Sequence, residues 1–93
     1  MKMFTVISYD IVDDQRRTSV MKVLKGYGVR VQYSVFEAIL DAREFHDLSN
    51  QLRKIIDPGQ DSIRCYRLDQ VAAQRTVIYG IGLTTTDPTH YMV

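Results

Sequence analysis

Tryptophan is missing from these 93 residues, cysteine occurs once, proline twice, and neither sign of charge predominates. The single thiol, Cys65, excludes an internal disulfide and suits a reducing compartment. It lies in a strand-like stretch and reads as a small core residue rather than a nucleophile. No segment approaches the roughly 20 apolar residues needed to span a bilayer. The opening MKMFTVISYD meets an acid, Asp10, too soon to hold the apolar core of a secretory leader. The expectation is a soluble cytoplasmic protein with no membrane partner. The net charge of +1 means that bulk electrostatics do not announce nucleic acid. Several site chemistries are also missing. IVDDQRRTS contains no glycine and cannot form a Gly-rich phosphate cradle. His46 and His90 lack Cys or acidic neighbours at zinc spacing. Ser34 has no nearby histidine to activate it. SIRCYRL lacks the aromatic-rich signature of an RNA recognition motif.

What is present is an ordinary globular composition, 45% hydrophobic and 25% charged, in a chain long enough for one domain. A chain of this size buries only about 60 to 65% of its unfolded surface, so association would help it. There are no repeats, low-complexity tracts or linkers, which gives one domain over 1–82 and a tail over 83–93. Phe4 to Ile11 is a nearly continuous apolar run and reads as a strand buried on both faces. In DDQRRTSVMKVLKGYG, Val20, Met21, Val23, Leu24 and Tyr27 form one helical stripe. Asp13 is the candidate N-cap and Gly28 the candidate C-terminal stop. Asp41 precedes Glu44 by three residues, a capping-box spacing. Phe45, Leu48, Leu52, Ile55 and Ile56 then make an apolar helical face that ends at Asp57-Pro58-Gly59. Residues 62–68 and 77–82 read as further strands, the latter with two glycines. The 84–93 tail is a candidate extra edge strand. With 30–40 folding back as two strands, the order predicts an α+β, ferredoxin-like βαββαβ domain.

The stretch GVRVQYSVFEAIL places Arg30, Gln32 and Ser34 on one face and Val29, Val31, Tyr33 and Val35 on the other. Phe36, Ala38 and Leu40 share the parity of the polar trio, so that face runs from charged to apolar. Positive charge is concentrated in Arg16, Arg17, Lys22, Lys25 and Arg30, a stretch of 15–30 without acids. Arg16 and Arg17 sit in a helical first turn, where the macrodipole disfavours a cation by roughly 0.3 to 1 kcal/mol. Either Asp13 and Asp14 neutralise them, or they bind phosphate together with the free helix amides. Asp10 ends an apolar run and must reach water, a donor or a cation, because burying it unpaired is costly. Such acids most often cap turns, but one carboxylate with substrate phosphates is also a Mg²⁺ ligand set, and a twofold dimer would double it.

VISYDI with Asp10, DDQRRTSVMKVLKGYG with Arg16 and Arg17, and RVQYSVFEA from Arg30 to Ala38 occur in this order between Met3 and Gly82. Together they resemble the CRISPR-associated protein two family, the small dimeric member of the spacer-acquisition machinery. The resemblance implies a homodimer of ferredoxin-like domains whose sheets face each other. The face of Arg30, Gln32, Ser34 and Phe36 would meet the dimer cleft, while Val31, Tyr33 and Val35 pack under the helices. Asp10 would be the metal ligand, its two copies flanking one Mg²⁺. Tyr9, Arg16, Arg17, Arg30, Ser34 and Phe36 fall on motif positions of the site or its support, with Lys22 and Lys25 adding to nucleic-acid binding. The implied activity is metal-dependent endonuclease cleavage of RNA or double-stranded DNA in CRISPR adaptation and antiviral defence. The alternative is a non-catalytic scaffold that bridges CRISPR-associated integrase subunits and holds DNA. A small ligand-binding regulatory domain is a third reading, disfavoured by the glycine-free first loop.

Overall fold

The structure, a computed structural model, describes residues 1–82. Its elements are β1 (Met3–Asp10), α1 (Asp14–Lys25), β2 (Val29–Gln32), β3 (Val35–Leu40), α2 (Ala42–Ile55), β4 (Ser62–Leu68) and a short α3 (Gln70–Gln74). The strands form one antiparallel sheet in the order β2-β3-β1-β4, the expected ferredoxin-like arrangement with β1 inside.

Local chemistry explains the helix boundaries. The Asp13 carboxylate accepts from the Arg16 amide at 2.9 Å and so caps α1. At α2 both halves of the capping box form, Glu44 N to Asp41 at 2.7 Å and Asp41 N to Glu44 at 2.9 Å. α1 closes at Gly26, with the Gly28 amide donating to Leu24 O at 2.9 Å. Gly28 is needed for approach: a Cβ there would stand 2.2 Å from the Glu37 carbonyl oxygen, so only glycine lets the chain enter β2 against β3.

Register then assigns the faces. Ile7 pairs with Phe36 and Cys65, and Thr5 with Ala38 and Arg67. This side lies under α1 and α2, and Ile7, Phe36, Ala38 and Leu40 form the core there with Val20, Leu24, Leu48 and Leu52. The opposite side carries Phe4, Val6, Ser8 and Asp10 of β1, aligned with Leu68, Tyr66, Arg64 and Ser62 of β4. α3 covers only one end of it, where Ala73 and Phe4 pack with Val6, Ile39 and Leu68. β1 is therefore enclosed on both faces at its start and open on one face at its end.

Two expectations fail here. Phe36 does not line a cleft. It is fully buried beneath the helices, while Val31 and Val35 are half-buried on the other side. The parity grouping of Arg30 with Phe36 is right, since they are register partners, but the core takes the Phe36 side because Ile7, Ala38 and Leu40 line up with it. Arg30 is tolerated on that side because β2 is an edge strand, and its guanidinium lies 3.7 Å from the Met21 sulfur of α1. The second failure is 77–82, which forms no strand. Asp69 caps α3 through the Ala72 amide at 2.8 Å, and the chain beyond it passes over the open face beside Val6, Val31, Val35 and Glu37 instead of along a sheet edge. Gly80, at φ +81°, also breaks the extended run. The expected tail strand falls outside the described residues.

Phe36→Ala should therefore destabilise the fold by about 3 to 5 kcal/mol, the cost of emptying a fully buried aromatic site. Urea denaturation should show the midpoint falling at an unchanged slope.

Candidate functional site around Asp10

Strand alternation aims Asp10. Its neighbours Tyr9 and Ile11 are both buried on the helix side, so the side chain between them points to the open side and is exposed. Its backbone stays in the sheet opposite Ser62. A cleft of about 260 Å³ on one side is lined by Tyr9, Asp10, Ile11, Arg17, Tyr33 and Ser34. A second, also about 260 Å³, is lined by Ser8, Tyr9, Asp10, Ser62, Arg64 and Tyr66. Asp10 is the carboxylate common to both. Each cleft also contains one arginine, an exposed tyrosine and at least one serine.

The structure separates the residues expected to act together. Arg17 lies in the first cleft, held there by its ion pair to Asp14 and by donation to the Ile11 carbonyl at 3.0 Å. Ser34 and Tyr9 share that cleft. The Tyr9 amide donates to Ser34 O at 3.1 Å, and its hydroxyl donates to Tyr33 O at 3.4 Å. Arg30 donates twice to that same Tyr33 carbonyl, at 3.1 and 2.8 Å, and joins the site through the turn rather than directly. Phe36 supports it from beneath, its ring 6.3 Å from that of Tyr9. Lys22 and Lys25 are exposed on the last part of α1, away from both clefts.

Arg16 turns elsewhere. Its Nε and Nη2 donate to Asp61 at 2.8 and 3.2 Å. The Asp61 side chain has no exposed surface. It also accepts from the Val12 amide at 3.0 Å and the Asp57 amide at 2.9 Å. A buried carboxylate needs such a full set of donors. The Arg16 hydrogen bond holds the Asp61 carboxyl well below the usual carboxylate range despite the cost of burial, and the two amides add to it. Neutralisation of the pair of arginines thus comes from Asp14 for Arg17 and from Asp61 for Arg16.

Three kinds of residue escaped sequence reasoning. Asp61 gave no signal as an ion-pair partner, because Arg16 and Val12 are 45 and 49 residues away and only the Asp57 amide is near in sequence. Arg64 and Tyr66 did leave one: the alternation of SIRCYRL puts them on one face, and only pairing with β1 shows that it is the Asp10 face. Parity places Tyr33 in the core, but it is 74% exposed because the turn after β2 and a shift between Arg30 and Gln32 break the alternation. Cys65 matches its reading, since it packs against the core and burial pushes its thiol pKa up.

As a metal centre, one chain supplies a single hard oxygen ligand. Among the described residues no three His, Cys, Asp or Glu side chains converge. An exposed carboxylate facing open clefts fits a cation that retains water and phosphate oxygens, as Mg²⁺ does, and does not fit an all-protein cage.

Comparison with known proteins identifies relatives along most of the chain. Residues 3–76 match the family described as CRISPR associated protein Cas2. The chain is 45% identical over 83 residues to a CRISPR-associated endoribonuclease Cas2 of Synechocystis sp., covering 89% of this chain and 90% of that one. It is 46% identical over 81 residues to a CRISPR-associated endonuclease Cas2 of Thermus thermophilus, covering 87% and 86%. Its fold is similar to a chain of a partial Cas6-RT-Cas1–Cas2 complex, with a TM-score of 0.72, 28% identity and 84% of each chain covered.

Because the folded-state pKa of Asp61 is depressed, its contribution to stability is present above the unfolded carboxylate value of about 3.9 and fades as pH falls below it. Asp61→Asn should therefore melt at a lower temperature than the parent at pH 7, with the difference narrowing below about pH 4. Arg16→Ala should behave alike in thermal melts. Equal melting of parent and variants at neutral pH would refute the anchoring role.

Proposed function

This chain belongs to the CRISPR-associated protein Cas2 family, and from that premise we propose that it is an endonuclease of CRISPR adaptation and antiviral defence, working in the cytoplasm on RNA or double-stranded DNA. The observation that carries the reading is Asp10, an exposed carboxylate at a strand end, between two clefts that each contribute an arginine. The names of the endoribonuclease and endonuclease relatives support the same chemistry. Asp10 is the residue that would hold Mg²⁺, with a second Asp10 from a homodimer partner completing the acidic pair. Such a metal polarises a phosphoryl oxygen and lowers the pKa of an attacking water. Arg17, fixed beside Asp10, would bind the phosphate and offset the charge that grows on it. Tyr9 and Ser34 hold the strand end and turn that form the wall of the cleft.

A second reading is favoured by the likeness to a chain assembled with Cas1. In it the dimer bridges integrase subunits, and Arg17, Lys22 and Lys25 grip the DNA backbone without cutting, a contact that carries no sequence information.

One substitution separates the two. Asp10→Asn keeps the size and removes the charge a hard cation requires, so Mg²⁺-dependent cleavage should fall by roughly two orders of magnitude or more, the scale of several kcal/mol of charge stabilisation. Duplex binding should persist in Asp10→Asn and weaken in Arg17→Ala, with a salt slope smaller by about 0.9. Integrase-dependent spacer insertion that survives Asp10→Asn would make the cellular role architectural. Full cleavage by that variant would remove Asp10 from the metal site.

The dimer is tested separately. Light scattering at micromolar protein should give twice the 10.8 kDa of one chain. A monomer mass across moderate salt would leave Asp10 alone and end the shared-metal proposal.

A further inference from the structure

Tyr33 is exposed, aromatic and held in place, a combination that folding alone does not call for. It sits in the turn between β2 and β3 with 74% of its surface open to solvent. The turn around it is fixed by four hydrogen bonds: two from Arg30 and one from the Tyr9 hydroxyl to its own carbonyl, and one from the Tyr9 amide to the carbonyl of Ser34. The Arg30 guanidinium carbon lies 5.2 Å from the ring centroid, so a cation backs one side of the aromatic ring. Tyr33 lines the cleft that also holds Asp10 and Arg17.

From this arrangement we propose that Tyr33 is a stacking residue for a nucleobase, and that the cleft binds one unpaired nucleotide, its base on the tyrosine and its phosphate toward Arg17. The inference rests on the nucleic-acid reading above and deepens it by naming what selects the substrate. Arg17 supplies a cation that any backbone would satisfy. Tyr33 asks for more, because a base inside a duplex is already stacked on its neighbours and must leave the stack before it can meet a side-chain ring. Stacking accepts every base, so the site discriminates paired from unpaired strands rather than one sequence from another. Arg30 is then a positioning residue. Its Nε and Nη2 are spent on the Tyr33 carbonyl, and the same guanidinium fixes the turn and backs the ring. A rigid turn has little conformational freedom left to lose on binding.

The test is the affinity of the full chain for short labelled single strands and for the matching blunt duplex, measured by fluorescence anisotropy in EDTA. Tyr33→Ala should weaken single-strand binding by roughly 5- to 150-fold, the range for loss of one stacked base, while Tyr33→Phe keeps the ring and the affinity. Duplex affinity should be the same for all three proteins. An abasic nucleotide at the stacked position should weaken binding to the parent and cause no further loss in Tyr33→Ala, since both changes remove the same contact. Unchanged single-strand affinity in Tyr33→Ala, or an equal loss on the duplex, would overturn the assignment. The parent and both variants should melt at the same temperature, because the side chain is exposed and the hydrogen bonds of the turn use backbone carbonyls. Metal-free binding also keeps this inference apart from catalysis. A parent that cuts nothing but binds single strands through Tyr33 would end the nuclease reading and leave the stacking role standing.

Discussion

The Asp61 carboxylate joins the end of the molecule where Asp10 lies. Without solvent, it takes donors from the loop after β1, the first turn of α1 and the chain leaving α2. An unpaired charge in that position would be expensive, so the three segments have to meet where the carboxylate can be satisfied. Val12, two residues beyond Asp10, is one of them. The loop that follows the candidate metal ligand is thereby tethered to the connection between α2 and β4, and Arg16 is committed to structure. Arg17 comes next in sequence but one helical step further round, and it is left to face the cleft.

The same end of the sheet shows how a small domain obtains a polar site from an apolar strand. The helix-facing side of β1 is apolar along its length except for Thr5, which accepts from Arg67 at 3.4 Å. Its other side begins with Phe4 and Val6 under α3 and finishes with Ser8 and Asp10 in the open. α3 stops short of covering the strand, and the polar residues occupy what it leaves. Beside them β4 contributes Arg64 and Tyr66 by antiparallel register. Each side of the acid thus carries one arginine and one exposed tyrosine.

Local and periodic information determined much of this protein. Asp13, Asp41 and Glu44 could be recognised as caps because their partners are three residues away. The stripes of α1 and α2 and the fold order followed from periods of 3.6 and 2. Asp10, ending an apolar run, had to reach water, a donor or a cation, and it is exposed. Family resemblance covered Met3 to Gly82 and selected the same acid.

Tertiary structure alone decided which face of each strand would be covered and which partner each arginine would take. Periodicity divides GVRVQYSVFEAIL into two sides but does not say which one meets the helices. That depends on pairing with Ile7, so Phe36 went inside while Tyr33, past the shift in register, went out. Residues 77–82 have the composition of a strand, yet no edge of this sheet receives them, because α3 redirects the chain and Gly80 interrupts it. Arg16 and Arg17 are indistinguishable in a one-dimensional string, and their fates differ because Asp61, 45 residues beyond Arg16, reaches only the first of them. Caps and stripes act within a few residues and are written in the sequence. Burial and charge pairing are set by distances in space, which chain separation does not encode.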